Sequence, residues 1–216
     1  MNKEYVIKMT EAHIRTALEG EQSGHDYWHV FRVWKTAKYI SSKEKADHFI
    51  VELAALLHDI ADWKLHDGDT TVGPRLAREW LESIDVDAQT IAHVCEIIND
   101  MSFKGSDVKT PMRTIEGKIV QDSDRLDAIG AIGIARCFAY GGKMGREMFN
   151  PNITPQRHKS FEEYKKGGKT TINHFYEKLL LLKDLMNTKT GKKLAKERHK
   201  FMEEFIEQFF KKWECR

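Results

Sequence analysis

Apolar residues recur along this chain at helical spacing. Val30, Val33, Trp34, Ala37 and Ile40 share one helix face by the i, i+3, i+4, i+7 rule. Phe49, Ile50, Leu53, Ala54 and Leu57 repeat the pattern on the next segment. Further helices are predicted over about 3–20, 72–84, 87–101, 112–140, 169–187 and 189–214. The last carries Phe201, Phe205, Phe209 and Trp213 in a stripe, read as a terminal helix docked on a core. Strand-like alternation is nearly absent, and only 4 prolines interrupt the chain. The expectation is an all-α fold, a helical bundle. Within it, the small-residue run GAIGIA (130–135) predicts close approach of a neighbouring helix, since each interior glycine costs up to about 1 kcal/mol relative to alanine. Two stretches read as loops. One is Trp63 to Thr71. The other, from about Gly141 to Lys169, is long and rich in Lys and Arg, and reads equally as a lid over a polyphosphate or as a plain solvated loop.

Composition narrows the function classes. Lys+Arg 35 against Asp+Glu 33 gives a net charge of +2, so no global field argues for a nucleic-acid partner. The basic run Lys189 to Lys200 is followed by Glu203, Glu204 and Glu207 and reads as a solvated helix face. The longest weakly charged stretch, Leu126 to Gly142, is broken by Asp127 and Arg136, and no segment offers the roughly 20 apolar residues of a membrane span. The N-terminal stretch mixes Lys and Glu and lacks an apolar signal core. Cys95, Cys137 and Cys215 are distant from one another and odd in number, which points to a reducing cytoplasm rather than a disulfide framework. The terminal IEQFFKKWECR can dock internally or on a second copy, giving a homodimer.

The chemistry gathers around His-Asp pairs. The dipeptide occurs at 25–26, 58–59 and 66–67, so context must decide. His66–Asp67 sits in a polar, glycine-containing loop and reads as a solvated turn. His58–Asp59 closes the apolar run VELAALLHDIAD, where a charged carboxylate is costly unless paired or metal-bound. The plain alternative is a core imidazole hydrogen-bonded to a neighbouring carboxylate. Asp62 lies at i+4 from His58 and i+3 from Asp59, facing the same point as a carboxylate able to act on a bound water. Upstream, His25, His29 and Arg32 fall at i, i+4 and i+7. Downstream, either Asp122 or Asp124 can supply a further ligand, and Arg125 can address a phosphate.

The order His29, His58–Asp59, Asp124 resembles the HD-domain metal-dependent phosphohydrolase superfamily. The strings GHDYWHVFRVW, LLHDIADWK, NDMSFKG, VQDSDRLDAIGAIGIAR, HFYEKLLLLKDLMNTKTGKKLA and ERHKFM are similar to its YpgQ/YedJ-like bacterial branch and span nearly the whole chain. The resemblance implies one HD-type domain over 1–216, with a core at about 20–140 and a C-terminal helical elaboration at about 141–216. It assigns His29, His58, Asp59 and Asp124 to a single divalent ion, and chooses Asp124 over Asp122. It places Asp62 where relatives carry a catalytic acid, and it draws attention to His25, Asp26 and Lys104. Manganese is the favoured ion, with Co²⁺, Ni²⁺ or Mg²⁺ as substitutes. Substrate contacts are then expected from His25, Arg32, Lys104 and Arg125. The implied activity is hydrolysis of a nucleotide substrate, (d)NTP to (d)NMP and pyrophosphate. A 5′-nucleotidase or phosphodiesterase, and a non-catalytic nucleotide-sensing module, are the competing readings.

Overall fold

The protein is described by a computed structural model covering residues 2–20, 26–61, 69, 71–101, 111–156 and 170–215. The fold is all-α. Its helices are α1 (Lys3–Ala17), α2 (Tyr27–Ser41), α3 (His48–Leu57), α4 (Val72–Ser83), α5 (Ala88–Asp100), α6 (Ile115–Asp127), α7 (Gly130–Lys143), α8 (Thr171–Glu177) and α9 (Lys189–Trp213), with a 3₁₀ helix at Leu179–Leu185. Among the described residues the extended pairing is a single parallel bridge, Glu147 to Thr170. The chain divides into two compact units, and the division falls inside α6, between Ser123 and Asp124.

The first unit is organised around α3. This helix is apolar nearly all round, with Phe49, Val51, Leu53, Ala54, Ala55, Leu56 and Leu57 buried, and α1, α2 and α5 all pack against it. A helix without a polar face is stable only when enclosed in this way. Its start is fixed by Asp47, whose carboxylate accepts the backbone N–H groups of Phe49 and Ile50. Asp47's own N–H donates to the buried Glu116 carboxylate at 2.9 Å. The neighbouring α2 buries Val30, Val33, Trp34, Ala37 and Ile40, the face its spacing predicts. Glu52 of α3 accepts from Trp34 Nε1 at 2.9 Å and from Lys38 Nζ at 3.2 Å, fixing the register of α2 on α3.

In the second unit α9 packs on α7 and on the 3₁₀ helix. The segment 169–187, expected as one helix, is α8 followed by the 3₁₀ helix, with the break at Lys178 (φ −143°, ψ −59°). The face that α9 buries is Gly191, Ala195, His199, Met202 and Ile206. The aromatic stripe expected to dock does so in part. Phe205 meets Phe138 and Phe175, Phe209 and Trp213 meet Phe149, and Trp213 stays about half exposed, as does Phe201.

The predicted helix 112–140 is two helices, α6 and α7, with a corner at Ala128–Gly130. Gly130 has φ +78°, a left-handed backbone that costs a side-chain-bearing residue roughly 1–2 kcal/mol. A Cβ added there would lie 3.0 Å from Arg198 Cβ on α9, the close helix approach expected of GAIGIA. A Cβ on Gly133 would lie 2.3 Å from the Ala128 carbonyl oxygen, so the corner can fold back only over a glycine.

Gly130→Ala should therefore lower the melting temperature by several degrees, at about 2–4 °C per kcal/mol for a chain of this size. Gly133→Ala should lower it further, because backbone has to move. An unchanged thermal transition for Gly133→Ala would contradict this corner. The thiols should also differ in reactivity. Burial raises the Cys95 pKa and pushes Cys137 up to about 12, whereas Cys215 is exposed. A disulfide-exchange reagent at pH 8 should modify one thiol fast in the native protein and three after denaturation.

Candidate metal centre

Two consecutive helices of the first unit deliver the centre. Helix α2 starts at Asp26, whose carboxylate accepts the backbone N–H of His29 at 2.8 Å. The aspartate of the His25–Asp26 pair thus fixes the first turn of α2, and with it the backbone of His29. The imidazole of His29 points inward and is fully buried. Helix α3 ends at Leu57, and His58 caps it with helical backbone angles (φ −60°, ψ −32°). The following turn closes through Ile60 N–H to the Leu57 carbonyl at 3.2 Å. This turn brings Asp59 toward His29 beside His58.

The ring of His58 has a defined orientation and tautomer. Its Nδ1 lies 2.8 Å from the Ala55 carbonyl oxygen. A carbonyl can only accept, so Nδ1 carries the proton and Nε2 of the neutral ring presents a lone pair. That is the arrangement a metal-ligating histidine needs. His58 Nε2 stands 3.3 Å from His29 Nε2, with the two rings at 69°. Asp59 Oδ2 lies 3.3 Å from His29 Nε2 and 3.6 Å from His58 Nε2.

This triangle has the dimensions of a ligand face. Donors about 2.1 Å from one ion sit about 3.0 Å apart at octahedral angles and about 3.4 Å apart at tetrahedral angles. Two edges, at 3.3 Å, fall just inside the upper value, and the third, at 3.6 Å, lies slightly beyond it. His29, His58 and Asp59 are the group of ligand-type residues that converges among the described residues. The mixed N/O set suits a divalent first-row ion. The Asp59 carboxylate retains 18% exposure, so the triangle is closed on its imidazole side and reachable at its carboxylate.

The other expected site residues are placed as follows. Arg32 lies on α2, half-buried, one turn beyond His29. On α6, Asp122 is fully buried, and Asp124 is half-buried and opens the second compact unit. Arg125 is buried, and its guanidinium donates to the Leu185 carbonyl of the 3₁₀ helix. One of its N–H groups is therefore engaged in holding that helix. His25, Asp62 and Lys104 lie outside the described residues, as does His66–Asp67. Sequence reasoning missed Glu52, which keeps α2 in register with α3 and thereby His29 opposite His58. A single glutamate in an apolar helix was its one visible sign.

Comparison with known proteins gives the family of the chain. The HD domain family model matches residues 27–129. Bacillus subtilis YpgQ is 43% identical over 200 residues, covering 92% of this chain and 89% of that protein. Among solved structures, an HD-superfamily hydrolase from Bacillus thuringiensis is 45% identical, with a TM-score of 0.78 over 100% of both chains. A Lactobacillus plantarum protein superposes with a TM-score of 0.87 at 36% identity, also over 100% of both. The crystal structure of YpgQ in complex with ADP gives a TM-score of 0.79, covering 98% of this chain and 97% of that one, with 36% identity in the structural alignment. With the HD match lying over the helices that carry the triangle, and relatives of this identity spanning its length, the chain belongs to the HD-domain superfamily of metal-dependent phosphohydrolases.

Proposed function

We propose that this protein hydrolyses nucleoside triphosphates, ribo- or deoxyribo-, to the monophosphate and pyrophosphate. The observation that carries the reading is the His29–His58–Asp59 triangle, with edges of 3.3, 3.3 and 3.6 Å. The ADP complex of the YpgQ relative supports a nucleotide as substrate. Asp124 is proposed as the fourth ligand and manganese as the ion, with Co²⁺, Ni²⁺ or Mg²⁺ able to replace it. A divalent ion in such a site supplies Lewis-acid polarisation of a phosphoryl oxygen and lowers the pKa of water from 15.7 toward about 7.

The chain's own residues do the rest. His29 and His58 present neutral imidazole nitrogens, the latter held in its tautomer by Ala55. Asp59 and Asp124 contribute negative charge that balances the ion. Asp62, three residues beyond Asp59, accepts a proton from the attacking water. Water oxygen bonds to the α-phosphorus, the bond to the bridging oxygen breaks, and pyrophosphate leaves with that oxygen. Arg32 offsets charge building on the phosphates, with His25, Lys104 and the remaining N–H groups of Arg125 as further contacts. The protein acts as a nucleotide-binding enzyme with no nucleic-acid partner. Among the described residues no helix is long and apolar enough to cross a membrane.

A metal-by-substrate matrix with product identification tests the reading. Manganese with a dNTP should yield one pyrophosphate and no orthophosphate per dNMP. Orthophosphate release from a dNMP, or opening of a cyclic nucleotide, would move the enzyme to the nucleotidase or phosphodiesterase class. A metal that raises the melting temperature while no nucleotide is hydrolysed would make the protein a sensing module. His58→Ala and Asp59→Asn should reduce metal content to background, read by elemental analysis. Turnover should fall by more than about a hundredfold, the upper end of the loss caused by removing an outer partner alone. Asp26→Ala should leave the fold intact and weaken metal affinity by roughly tenfold, since it frees the first turn of α2 rather than a ligand.

A further inference from the structure

Trp28 is a large aromatic residue one position before a buried metal-ligand candidate, yet it is 55% exposed. Its indole is braced from the side. The Tyr27 ring lies at 5.2 Å and 64°, and the Phe31 ring at 5.9 Å and 79°, so neither neighbour stacks on it. Both braces are themselves fixed. Tyr27 is buried and donates its hydroxyl to Glu11 at 2.8 Å, and Phe31 meets Trp34 at 6.0 Å. Among the described residues the indole face is open, and it stands on a rigid support in the first turn of α2.

The helix also sets the order of neighbours. At about 100° per residue, Trp28, Arg32 and His29 lie at about 0°, 40° and 100° around α2. All three sit within four residues along the axis. One side of the helix thus presents an indole, a guanidinium and a metal-ligating imidazole in consecutive sectors. A nucleotide carries a base, a reacting α-phosphorus beside the sugar and a further phosphate chain, the three groups that an indole, a metal centre and a guanidinium receive. The exposed Tyr5 and Tyr39 lie on α1 and at the far end of α2, and neither is adjacent in sequence to a residue of the triangle.

From this juxtaposition we infer that Trp28 is the stacking platform for the base of the nucleotide substrate, with Arg32 bridging to the phosphates. The inference rests on the nucleotide hydrolase reading and goes beyond it by naming the group that distinguishes a nucleotide from a plain polyphosphate. Stacking on an aromatic face is tolerant of base identity, so the platform favours nucleotides as a class.

Equilibrium binding to the manganese-loaded full-length protein tests this without turnover, using ADP and, as a base-free comparator, inorganic pyrophosphate. Trp28→Ala should weaken ADP about tenfold and leave pyrophosphate within twofold. Trp28→Phe, which keeps a smaller face, should recover most of the ADP affinity. Unchanged ADP binding by Trp28→Ala would overturn the inference. Equal weakening of ADP and pyrophosphate would also overturn it, because that is the signature of a disturbed metal centre. Either result leaves the hydrolase reading standing. ADP binding that depends on Trp28, in a protein that hydrolyses no nucleotide, would support the platform and remove the hydrolase. A protein that binds no nucleotide would overturn both.

Discussion

The first unit depends on one constraint. Two imidazole nitrogens and a carboxylate oxygen must be held within 3.6 Å of each other at the edge of an apolar core. Each group prefers water, and the carboxylate is the costliest to move out of it. The structure meets this cost with positioning elements that are themselves ordinary: a helix cap at Asp26, a carboxylate clamp at Glu52, and a main-chain carbonyl at Ala55. Helix α3 has no polar face of its own, so the surrounding helices determine where its C-terminal end lies. The site and the core are thus two aspects of the same packing.

Helix α2 serves two surfaces at once. Its buried face keys into α3 through Val30, Val33 and Ala37, while its first turn holds His29 beside the exposed Trp28. The rigidity that the core face provides is what makes the chemical face useful, since donors held by packing need no ordering when a ligand arrives.

Much of this was legible in the amino-acid sequence, for a physical reason. Helical periodicity marks any face that is buried continuously, and so α2 and α3 stood out, along with the unusual carboxylate at 59. The corner at Gly130 was hidden because apolar spacing runs through 112–140 without a gap, and a left-handed glycine leaves no periodic trace. The aromatic stripe marks only part of the docking face of α9, because the buried positions are Gly191, Ala195, His199, Met202 and Ile206, residues that ring size does not single out. Glu52 and Glu116 escaped notice for another reason. Each acts on partners from a distant stretch of chain that only the fold brings near. Tyr27 and Phe31 likewise read as ordinary members of an amphipathic helix until their bracing of the indole is seen.

The partner that orients His58 is a peptide oxygen three residues earlier in the same segment. No side-chain exchange at position 55 can delete that acceptor; a replacement acts on it only through bulk. The requirement at this position is therefore steric, a residue small enough to leave helical geometry undisturbed in a fully enclosed spot. The main-chain carbonyl sets which ring nitrogen donates, and the orientation of this candidate ligand depends on the last turn of α3 staying coiled.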